Sequence, residues 1–375
     1  MRHVLLLLAV TLAACSSTPP SGGGGGGSAT GGGAATGGGA ATGGGAATGG
    51  GAATGGGAAT GGGAATGGGA ATGGGAATGG GAATGGGSAT GGGGGGTTDG
   101  GYPPLTQDEI TMLTARPYNV HVPPSYDGST PVPFVTLLHG YSATATIQSN
   151  YFQMTALSDA NGFILALPEG LKDAANNQYW NATDACCAFG AANTPDDVAY
   201  LTAVMNDARL KYNIDPKRVY FVGHSNGGFM SHRMACDRAD RIAAIVSLAG
   251  AQWQDQTLCV PNDNISVLEV HGDSDATIGY LGGNNYGHAY PGAVTTVTDW
   301  AALNGCTGML TTDAGVDLDL DSSLAGNETG RVQFGGCPTG GDVQLWTIHG
   351  GGHIPYFTAN WGPSFYQFLS DHPKP

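Results

Sequence analysis

Apolar runs recur along the chain beyond residue 101 and predict buried strands. Most of these runs lack polar alternation, as expected for strands that are covered on both faces, and they end near glycine, histidine or proline. The predicted strands span residues 118–122, 133–138, 163–168, 218–222, 242–248, 265–270 and 343–348.

Segments with helical spacing lie between these strands. They span residues 149–160, 194–213, 229–238 and 294–303. In the second of them, Thr194 is a candidate N-cap and Pro195 suits the first turn. Strands that alternate with helices predict an α/β fold, with a mainly parallel central sheet and helices on both faces. Ligands of such sheets bind at the carboxyl ends of the strands, so we expect the chemistry at that edge.

Residues 1–15 have the pattern of an export signal. A short basic start, Met1-Arg2-His3, precedes an apolar run that is too short to span a bilayer as a helix. The run ends in Leu12-Ala13-Ala14-Cys15, which resembles the lipobox of bacterial lipoproteins, so Cys15 is the predicted lipidation site. Acylation there would anchor an exported protein at the outer membrane or cell surface. The alternative is an ordinary signal peptide that is cleaved nearby, with Cys15 incidental.

Residues 16–101 contain almost only glycine, alanine, serine and threonine, and nine copies of Gly-Gly-Gly-Ala-Ala-Thr fill residues 31–84. No side chain there is large enough for its burial to offset the entropy of ordering, so we expect a disordered tether with a reach of about 50 Å. The alternative is a structural repeat, which would need a regular partner chain. Residues 102–375 have ordinary globular composition and are long enough for one domain with a large core.

Composition narrows the possible partners and ligands. The formal net charge is −15, which argues against nucleic acid or an anionic membrane as a partner of the globular domain. Beyond Cys15, an even number of cysteines predicts disulfides in an exported protein and leaves their connectivity open. These cysteines are Cys186, Cys187, Cys236, Cys259, Cys306 and Cys337.

We predict no metal site. No Cys-x-x-Cys motif occurs in the sequence. Asp317-Leu318-Asp319-Leu320-Asp321 resembles a calcium loop only in part, because it lacks the glycine of the turn. Its alternating leucines predict a strand instead.

Strand 218–222 ends abruptly at Gly223-His224-Ser225-Asn226-Gly227, and a helical segment follows. This G-x-S-x-G pattern between a strand and a helix is typical of a serine on a sharp turn whose hydroxyl is exposed. The N-terminus of the following helix would favour an anion near that oxygen. Ser225 is therefore the candidate nucleophile, and the alternative is a simple glycine-rich turn.

A serine hydroxyl needs a neighbouring base that is itself held by an acid. Two later strands end in loops with suitable residues, in the chain order serine, acid, histidine. Asp275 is the preferred acid because it lies further into its loop than the competing Asp273. His353 is the preferred base because it follows three glycines, which let its loop approach the serine, whereas His349 lies closer to the strand. The predicted triad is Ser225, Asp275 and His353.

Two backbone N–H groups must stabilise the oxyanion that forms when a serine attacks a carbonyl group. The residue after the nucleophile, Asn226, supplies one candidate, and Tyr141, in the loop after strand 133–138, supplies the other. The alternative for the Tyr141 loop is a tight turn without a catalytic role. Aromatic side chains could line an apolar cleft, and we expect Trp180 and Tyr280 to contact the substrate.

Short motifs are distributed over residues 115–370: Leu138-His139-Gly140, Trp180-Asn181 with Cys186-Cys187, Asp196-Asp197-Val198, Gly223 to Gly228, Ala235-Cys236, His271-Gly272-x-x-Asp275 and Gly351-Gly352-His353. In combination they resemble the polyhydroxybutyrate depolymerase/feruloyl esterase group of secreted α/β-hydrolases. The resemblance implies the triad named above. It also implies that Cys306 pairs with Cys337, while the other four cysteines pair among themselves.

The chain departs from the pattern of this group at two places. Ile354-Pro355-Tyr356 stands where Trp-Pro is usual after the catalytic histidine, and Tyr141 stands where a cysteine or small residue is common. Both places lie near the expected acyl pocket, so they bear on the choice of substrate.

The sequence thus predicts an exported serine esterase that needs no metal or organic cofactor. The tether suggests a polymeric or bulky substrate, either a polyester or a plant polysaccharide that carries feruloyl or acetyl esters. The alternatives are an acetyl xylan esterase-type enzyme and a surface-binding protein with a hydrolase fold but no activity. We expect a monomer that binds its ester substrate, contacts a membrane through the N-terminal lipid alone and does not bind nucleic acid.

Overall fold

The computed structural model describes residues 102–188, 194–312 and 317–375. The predicted signal peptide, Cys15 and the tether 16–101 lie outside the described residues. The helices are α1 Gln107–Ala115, α2 Ala145–Phe152, α3 Met154–Asn161, α4 Asp197–Lys211, α5 Asn226–Asp237, α6 Ala293–Leu303 and α7 Trp361–Asp371. The strands are β1 Asn119–His121, β2 Val132–Leu138, β3 Ile164–Leu167, β4 Leu171–Lys172, β5 Gln178–Tyr179, β6 Ile214–His224, β7 Ala244–Leu248, β8 Ser266–Gly272, β9 Gly282–Asn285, β10 His288–Pro291, β11 Leu310–Thr312, β12 Thr329–Phe334 and β13 Val343–Ile348.

Within the described residues, nine strands form one sheet in the order β1-β3-β2-β6-β7-β8-β13-β12-β11. The strands from β3 to β13 run parallel, and β1, β12 and β11 pair antiparallel at the two edges. Two short hairpins, β4–β5 and β9–β10, lie outside this sheet. The predicted α/β fold is confirmed, and the seven strands predicted from apolar runs all take part in the sheet.

Alternate side chains of the parallel strands pack into two cores, one on each face of the sheet. In β6, Val219 and Phe221 join the core that contains residues of α4, α5 and α6. Tyr220 and Val222 join the other core, with residues of α2, α3 and α7. A strand that is covered on both faces has no polar side, which explains the continuous apolar runs in the sequence.

The predicted single helix 149–160 is wrong, because two helices occupy this region. Gln153 separates α2 from α3, with a backbone φ of 55°, which is the left-handed conformation. Phe152 before the break and Leu157 after it are both buried in the same core. Buried positions keep helical spacing within each helix, but Phe152 and Met154 are buried only two residues apart, so the spacing restarts at the break.

Two local predictions are wrong because side-chain hydrogen bonds replace the expected backbone structure. Asp196 rather than Thr194 caps α4, and its carboxylate accepts a hydrogen bond within the first turn of the helix. Residues 317–321 form no strand. Instead, the Asp321 carboxylate accepts from Ser323 N at 2.9 Å and organises a turn.

The six cysteines of the described residues form three disulfides, Cys186–Cys187, Cys236–Cys259 and Cys306–Cys337. The last of these is the pair that the sequence resemblance implied. The described residues contain no group of three or more histidine, cysteine, aspartate or glutamate side chains that could hold a metal ion. In the same part of the chain, every helix is too short or too polar to cross a bilayer.

Candidate active site

Ser225 lies on the turn between β6 and α5, at the carboxyl edge of the sheet. Its backbone has φ 56° and ψ −120°, a conformation that a non-glycine residue keeps only where its surroundings enforce it. The neighbouring glycines permit this turn. A Cβ on Gly223 would lie 2.0 Å from Gly227 O, and a Cβ on Gly227 would lie 2.2 Å from Leu138 O. The turn therefore requires glycine on both sides of the serine.

Three residues that the sequence singles out form a continuous chain of hydrogen bonds. His353 Nε2 lies 3.0 Å from Ser225 Oγ, and His353 Nδ1 lies 2.7 Å from Asp275 Oδ2. Ser225 follows β6, His353 follows β13 and Asp275 follows β8, and these are parallel strands of one sheet. An ionised carboxylate can only accept, so Nδ1 donates to it and Nε2 is left to accept from the serine hydroxyl. This geometry allows the histidine to deprotonate the serine.

The Asp275 carboxylate is buried, but both of its oxygens have donors. Oδ1 accepts from Thr277 N at 2.7 Å and from Ile278 N at 2.9 Å, while Oδ2 accepts from His353 and lies 3.5 Å from His271 Nε2. Burial favours the neutral acid, but hydrogen bonds from the two histidines outweigh it and hold the pKa of Asp275 well below its ordinary value. The carboxylate is therefore ionised at neutral pH.

Asp273 and His349, the competing acid and base, pair with each other near the surface. His349 Nδ1 lies 2.9 Å from Asp273 Oδ2, and the histidine side chain is 63% exposed. Asp273 Oδ1 also accepts from Gly350 N at 2.7 Å. These contacts join the loop that carries Asp275 to the loop that carries His353. Asp273 and His349 thus hold the two loops together, while Asp275 and His353 form the hydrogen bonds that lead to Ser225.

The two segments predicted to form the oxyanion hole meet beside Ser225. A Cβ on Gly140 would lie 3.5 Å from Ser225 Cβ, so the loop after β2 passes next to the nucleophile. Asn226 is the first residue of α5, and the first N–H groups of a helix have no acceptor within it. The backbone N–H groups of Tyr141 and Asn226 thus belong to segments that flank the serine. The Tyr141 hydroxyl donates to Asp173, and its side chain is 38% exposed.

Trp180 lies behind the site, which corrects its predicted role in contacting the substrate. Its side chain is completely buried, so a bound substrate has no access to it. The indole Nε1–H donates to His139 O at 3.0 Å. The backbone N–H and O of Trp180 bond to the side-chain amide of Asn226 at 2.6 Å and 2.9 Å. Trp180 therefore connects the two segments that flank the nucleophile.

Tyr280 is half-buried on the β8 side of the sheet edge. Its ring centre lies 5.7 Å from that of His271, and its hydroxyl lies 2.8 Å from Thr347 Oγ1. These contacts hold it against the base of the loop that carries the acid. Its expected contact with substrate stays a prediction.

Two buried histidines support the loops around the nucleophile in their neutral form. His139 Nδ1–H donates to Gly140 O at 2.8 Å, and its Nε2 accepts from Gly170 N at 2.9 Å. His224 Nε2–H donates to His353 O at 2.9 Å. Burial disfavours a charged ring, and it lowers the pKa of His139 to about 4 and that of His224 to about 3. Each ring thus positions a loop without adding charge to the site.

A buried polar cluster beneath Asp275 escapes the sequence-based reasoning. It consists of Glu269 and His271 on β8 and His232 on α5. The sequence feature that could have revealed this cluster is Glu269, a charged residue within an otherwise apolar run that predicts a buried strand. Such residues are rarely buried unless they are paired.

The sheet, with its serine turn after β6 and its acid and histidine after later parallel strands, is that of an α/β-hydrolase. Comparison with known proteins narrows this class. Residues 116–297 match the family described as Esterase PHB depolymerase. This match covers just under half of the chain, and it makes the chain similar to the polyhydroxybutyrate depolymerase/feruloyl esterase group that its motifs resemble.

Two curated relatives are named feruloyl esterases. Feruloyl esterase B of Piromyces equi is 28% identical over 242 residues, which cover 62% of this chain and 42% of that protein. Feruloyl esterase D of Neurospora crassa is 26% identical over 253 residues, which cover 64% of this chain and 74% of that protein. The chain thus spans less than half of the first relative's length. Among solved structures, an acetyl xylan esterase from Aspergillus awamori is 14% identical, with 68% of this chain and 93% of that chain covered and a TM-score of 0.47.

Proposed function

We propose that this protein hydrolyses carboxylic esters through an acyl-enzyme intermediate. Ser225 is the nucleophile, His353 is the general base and acid, and Asp275 orients the base. The observation that carries the proposal is the chain of hydrogen bonds from Asp275 through His353 to Ser225. The match of residues 116–297 to an esterase family supports the same reaction class.

In the first half-reaction, Ser225 Oγ attacks the ester carbonyl carbon while His353 Nε2 takes the hydroxyl proton. The carbonyl oxygen becomes an oxyanion, to which the backbone N–H groups of Tyr141 and Asn226 donate. Asp275 stabilises the imidazolium. The bond from the acyl carbon to the alcohol oxygen then breaks, and His353 gives its proton to the departing alcohol. An acyl ester of the serine remains.

Water completes the reaction by the same route. His353 takes one proton of the water while the water oxygen attacks the acyl carbon. The bond between the acyl carbon and Ser225 Oγ then breaks, and the proton returns to that oxygen. One ester and one water give one carboxylic acid and one alcohol, with no electron transfer.

The surface beside the nucleophile favours a bulky ester. Tyr141 follows the loop next to Ser225, and Ile354 and Tyr356 follow His353 closely in the chain. The three side chains are 38%, 62% and 67% exposed. Exposed aromatic and aliphatic groups at the edge of a site suit an aromatic acyl group or an apolar polyester. A feruloyl ester of a plant polysaccharide is the first substrate to test, because the relatives are named feruloyl esterases.

We also propose that the enzyme acts outside the cytoplasm as a monomer, held by a lipid on Cys15 and the tether 16–101. The three disulfides support an oxidising compartment. Mass spectrometry of the mature N-terminus should find acyl chains on Cys15, and Cys15→Ser should move the protein out of the membrane fraction. Cleavage at another residue, without an acyl mass on Cys15, would contradict the anchor.

The activity is tested with the full mature chain and a chromogenic short-chain ester. Ser225→Ala removes the attacking oxygen, and we expect kcat to fall by at least about 10³-fold. Ser370→Ala removes an exposed hydroxyl on α7 and should keep the wild-type rate. Equal rates for wild type and Ser225→Ala would contradict the enzyme and favour the rival hypothesis, a surface-binding protein without activity.

A second experiment distinguishes the substrates. We expect kcat/KM to be highest for methyl ferulate when it is compared with soluble acetylated xylan, and we expect little release from poly(3-hydroxybutyrate) granules. Hydrolysis of the granules alone would favour a polyester depolymerase. Preference for acetylated xylan would favour the acetyl xylan esterase alternative.

A further inference from the structure

A chain of buried polar side chains lies beneath the loop that carries Asp275. Glu269, on β8, is completely buried. Its Oε2 lies 3.0 Å from His232 Nε2, and its Oε1 lies 3.0 Å from His271 Nδ1. A buried carboxylate is costly unless donors compensate it, so the positions of the protons decide what this chain does.

The proton on His232 is located by the neighbour on its other side. Trp300 Nε1 lies 3.0 Å from His232 Nδ1, and an indole N–H can only donate. His232 Nδ1 is therefore an acceptor without a proton, and the single ring proton is on Nε2. His232 is thus a neutral donor to Glu269 and cannot compensate the charge of that carboxylate.

His271, in contrast, has an acceptor at each ring nitrogen. Its Nε2 lies 2.8 Å from Ile278 O, and a carbonyl oxygen can only accept, so Nε2 carries a proton. Its Nδ1 faces Glu269 Oε1. Asp275 Oδ2 lies 3.5 Å from His271 Nε2. One buried imidazole ring therefore lies between two carboxylates.

Two proton arrangements satisfy these contacts. Either His271 is an imidazolium that donates from both nitrogens, or Glu269 is a neutral acid that donates to His271 Nδ1. The second arrangement leaves the Asp275 carboxylate beside a neutral ring, whereas the first places a positive charge between two negative ones. The hydrogen bond from His232 to Glu269 also favours an ionised carboxylate. Electrostatics therefore selects the charged ring.

We propose that His271 is a buried imidazolium that holds Asp275 ionised and directed at His353. It is a positioning residue, because its contacts are with the catalytic acid and not with the nucleophile. The kinetic consequence rests on the proposed function, whereas the charge of the ring can be measured without any activity.

The ionisable surroundings of His271 support this assignment. They are Glu269 on its own strand, His232 on α5, Asp275 and Tyr280 on the following loop, His224 at the end of β6, and His353 beyond Asp275. Burial alone would discharge the ring, but hydrogen bonds to Asp275 and Glu269 raise the pKa of His271 to about 10. Despite burial, His232 and His271 hold the pKa of Glu269 below its ordinary value.

Nitrogen-15 NMR of the histidine-labelled full chain measures the ring protons directly. At pH 8 we expect both ring nitrogens of His271 to carry protons and to have the chemical shifts of an imidazolium. His224 is the internal control, because it is also buried and should have the shifts of a neutral ring. A neutral His271 ring at pH 8 overturns the proposal, whether or not the protein is an esterase.

The kinetic test uses His271→Gln, which keeps a hydrogen-bonding side chain but not the charge. The uncompensated carboxylates then favour a proton on the base, so we expect the acid limb of the kcat/KM profile to move to higher pH by about one unit. A purely structural role would lower kcat without moving that limb. His121→Gln is the control, because His121 is paired with Asp159 at 2.7 Å away from the site and should leave the limb in place.

The two experiments separate the possible failures. An unshifted acid limb in a folded and active His271→Gln protein overturns the positioning role, and if this variant does not fold, the NMR result on the wild type decides. If Ser225→Ala retains the wild-type rate, the esterase hypothesis fails while the charge of His271 stays measurable.

Discussion

At the residue scale, Trp180 makes the contacts that bear most directly on the proposed oxyanion hole. Its indole holds the carbonyl of His139, which precedes the Tyr141 loop, and its backbone holds the side chain of Asn226. Stabilisation of the oxyanion requires donors at fixed positions, and these donors matter more in the transition state than in the bound substrate. A contact that fixes both donor segments should therefore affect kcat more than KM.

We expect Trp180→Phe to lower kcat about tenfold with little change in KM. The variant keeps most of the ring but loses one hydrogen bond to a buried carbonyl, which is worth on the order of 1–2 kcal/mol. Steady-state kinetics with the chromogenic ester measures both constants. A tenfold rise in KM with unchanged kcat would contradict the role of Trp180 in fixing the donor segments.

Trp361→Phe is the matched control for this experiment. Among the described residues, Trp361 Nε1 is buried without a hydrogen-bond partner. The substitution therefore removes the same indole N–H from a core position without breaking a hydrogen bond. It should lower stability through lost packing and leave kcat close to that of the wild type.

Residues whose place follows from chain order can be predicted from sequence, whereas residues whose role depends on side-chain direction cannot. Ser225 is marked by a strand, a sharp turn and a helix, and Asp275 and His353 follow the ends of later strands. Trp180 belongs to a recognisable motif, but the motif does not say that its indole points inward. The partners of Glu269 come from another element and from its own strand, and no local pattern encodes that pairing.

At the element scale, the parallel strands decide where the chemistry lies. β6, β8 and β13 end at the same edge of the sheet, and each is followed by one residue of the hydrogen-bonded chain. Their apolar runs made them predictable because both faces are buried. β12 escaped prediction because it is an antiparallel strand whose residues are mostly half-buried, so it lacks such a run.

The break between α2 and α3 shows the limit of helical periodicity. Periodicity records which side chains face the core, and the burial of both Phe152 and Met154, two residues apart, shows that it restarts at Gln153. The backbone of this residue is left-handed, a conformation that costs a non-glycine residue roughly 1–2 kcal/mol. Its side chain is exposed, so nothing in the core depends on it.

We expect Gln153→Gly to raise the free energy of unfolding by about 0.5–1 kcal/mol, because relief of strain exceeds the extra chain entropy of glycine. Urea denaturation measures the change. Gln367→Gly is the matched control: it makes the same substitution at an exposed position inside α7 and should lower the free energy of unfolding by about 1 kcal/mol. Equal destabilisation by both variants would contradict the role of backbone strain.

At the scale of the whole molecule, buried histidines make stability depend on pH in two opposite ways. His139 and His224 have lowered pKa values of about 4 and about 3 in the folded protein, against an ordinary value of 6.5. Below 6.5 the unfolded chain therefore binds more protons, and stability falls as pH decreases. His271 has a raised pKa of about 10, so between 6.5 and 10 the folded protein holds a proton that the unfolded chain loses. In that range stability falls as pH increases.

The free energy of unfolding should therefore have its maximum near pH 6.5, with each histidine contributing a slope of at most about 1.4 kcal/mol per pH unit in its own range. Urea denaturation between pH 4 and pH 10 measures the curve. His224→Gln should flatten the acid side of the curve. Glutamine can also donate a hydrogen bond, but it does not take up a proton when the chain unfolds at low pH. His271→Gln should flatten the alkaline side. If stability rose continuously from pH 7 to pH 10, His271 could not carry its charge in the folded protein, and the negative charge of Asp275 would have to be held by His353 and the backbone donors without an imidazolium beside it.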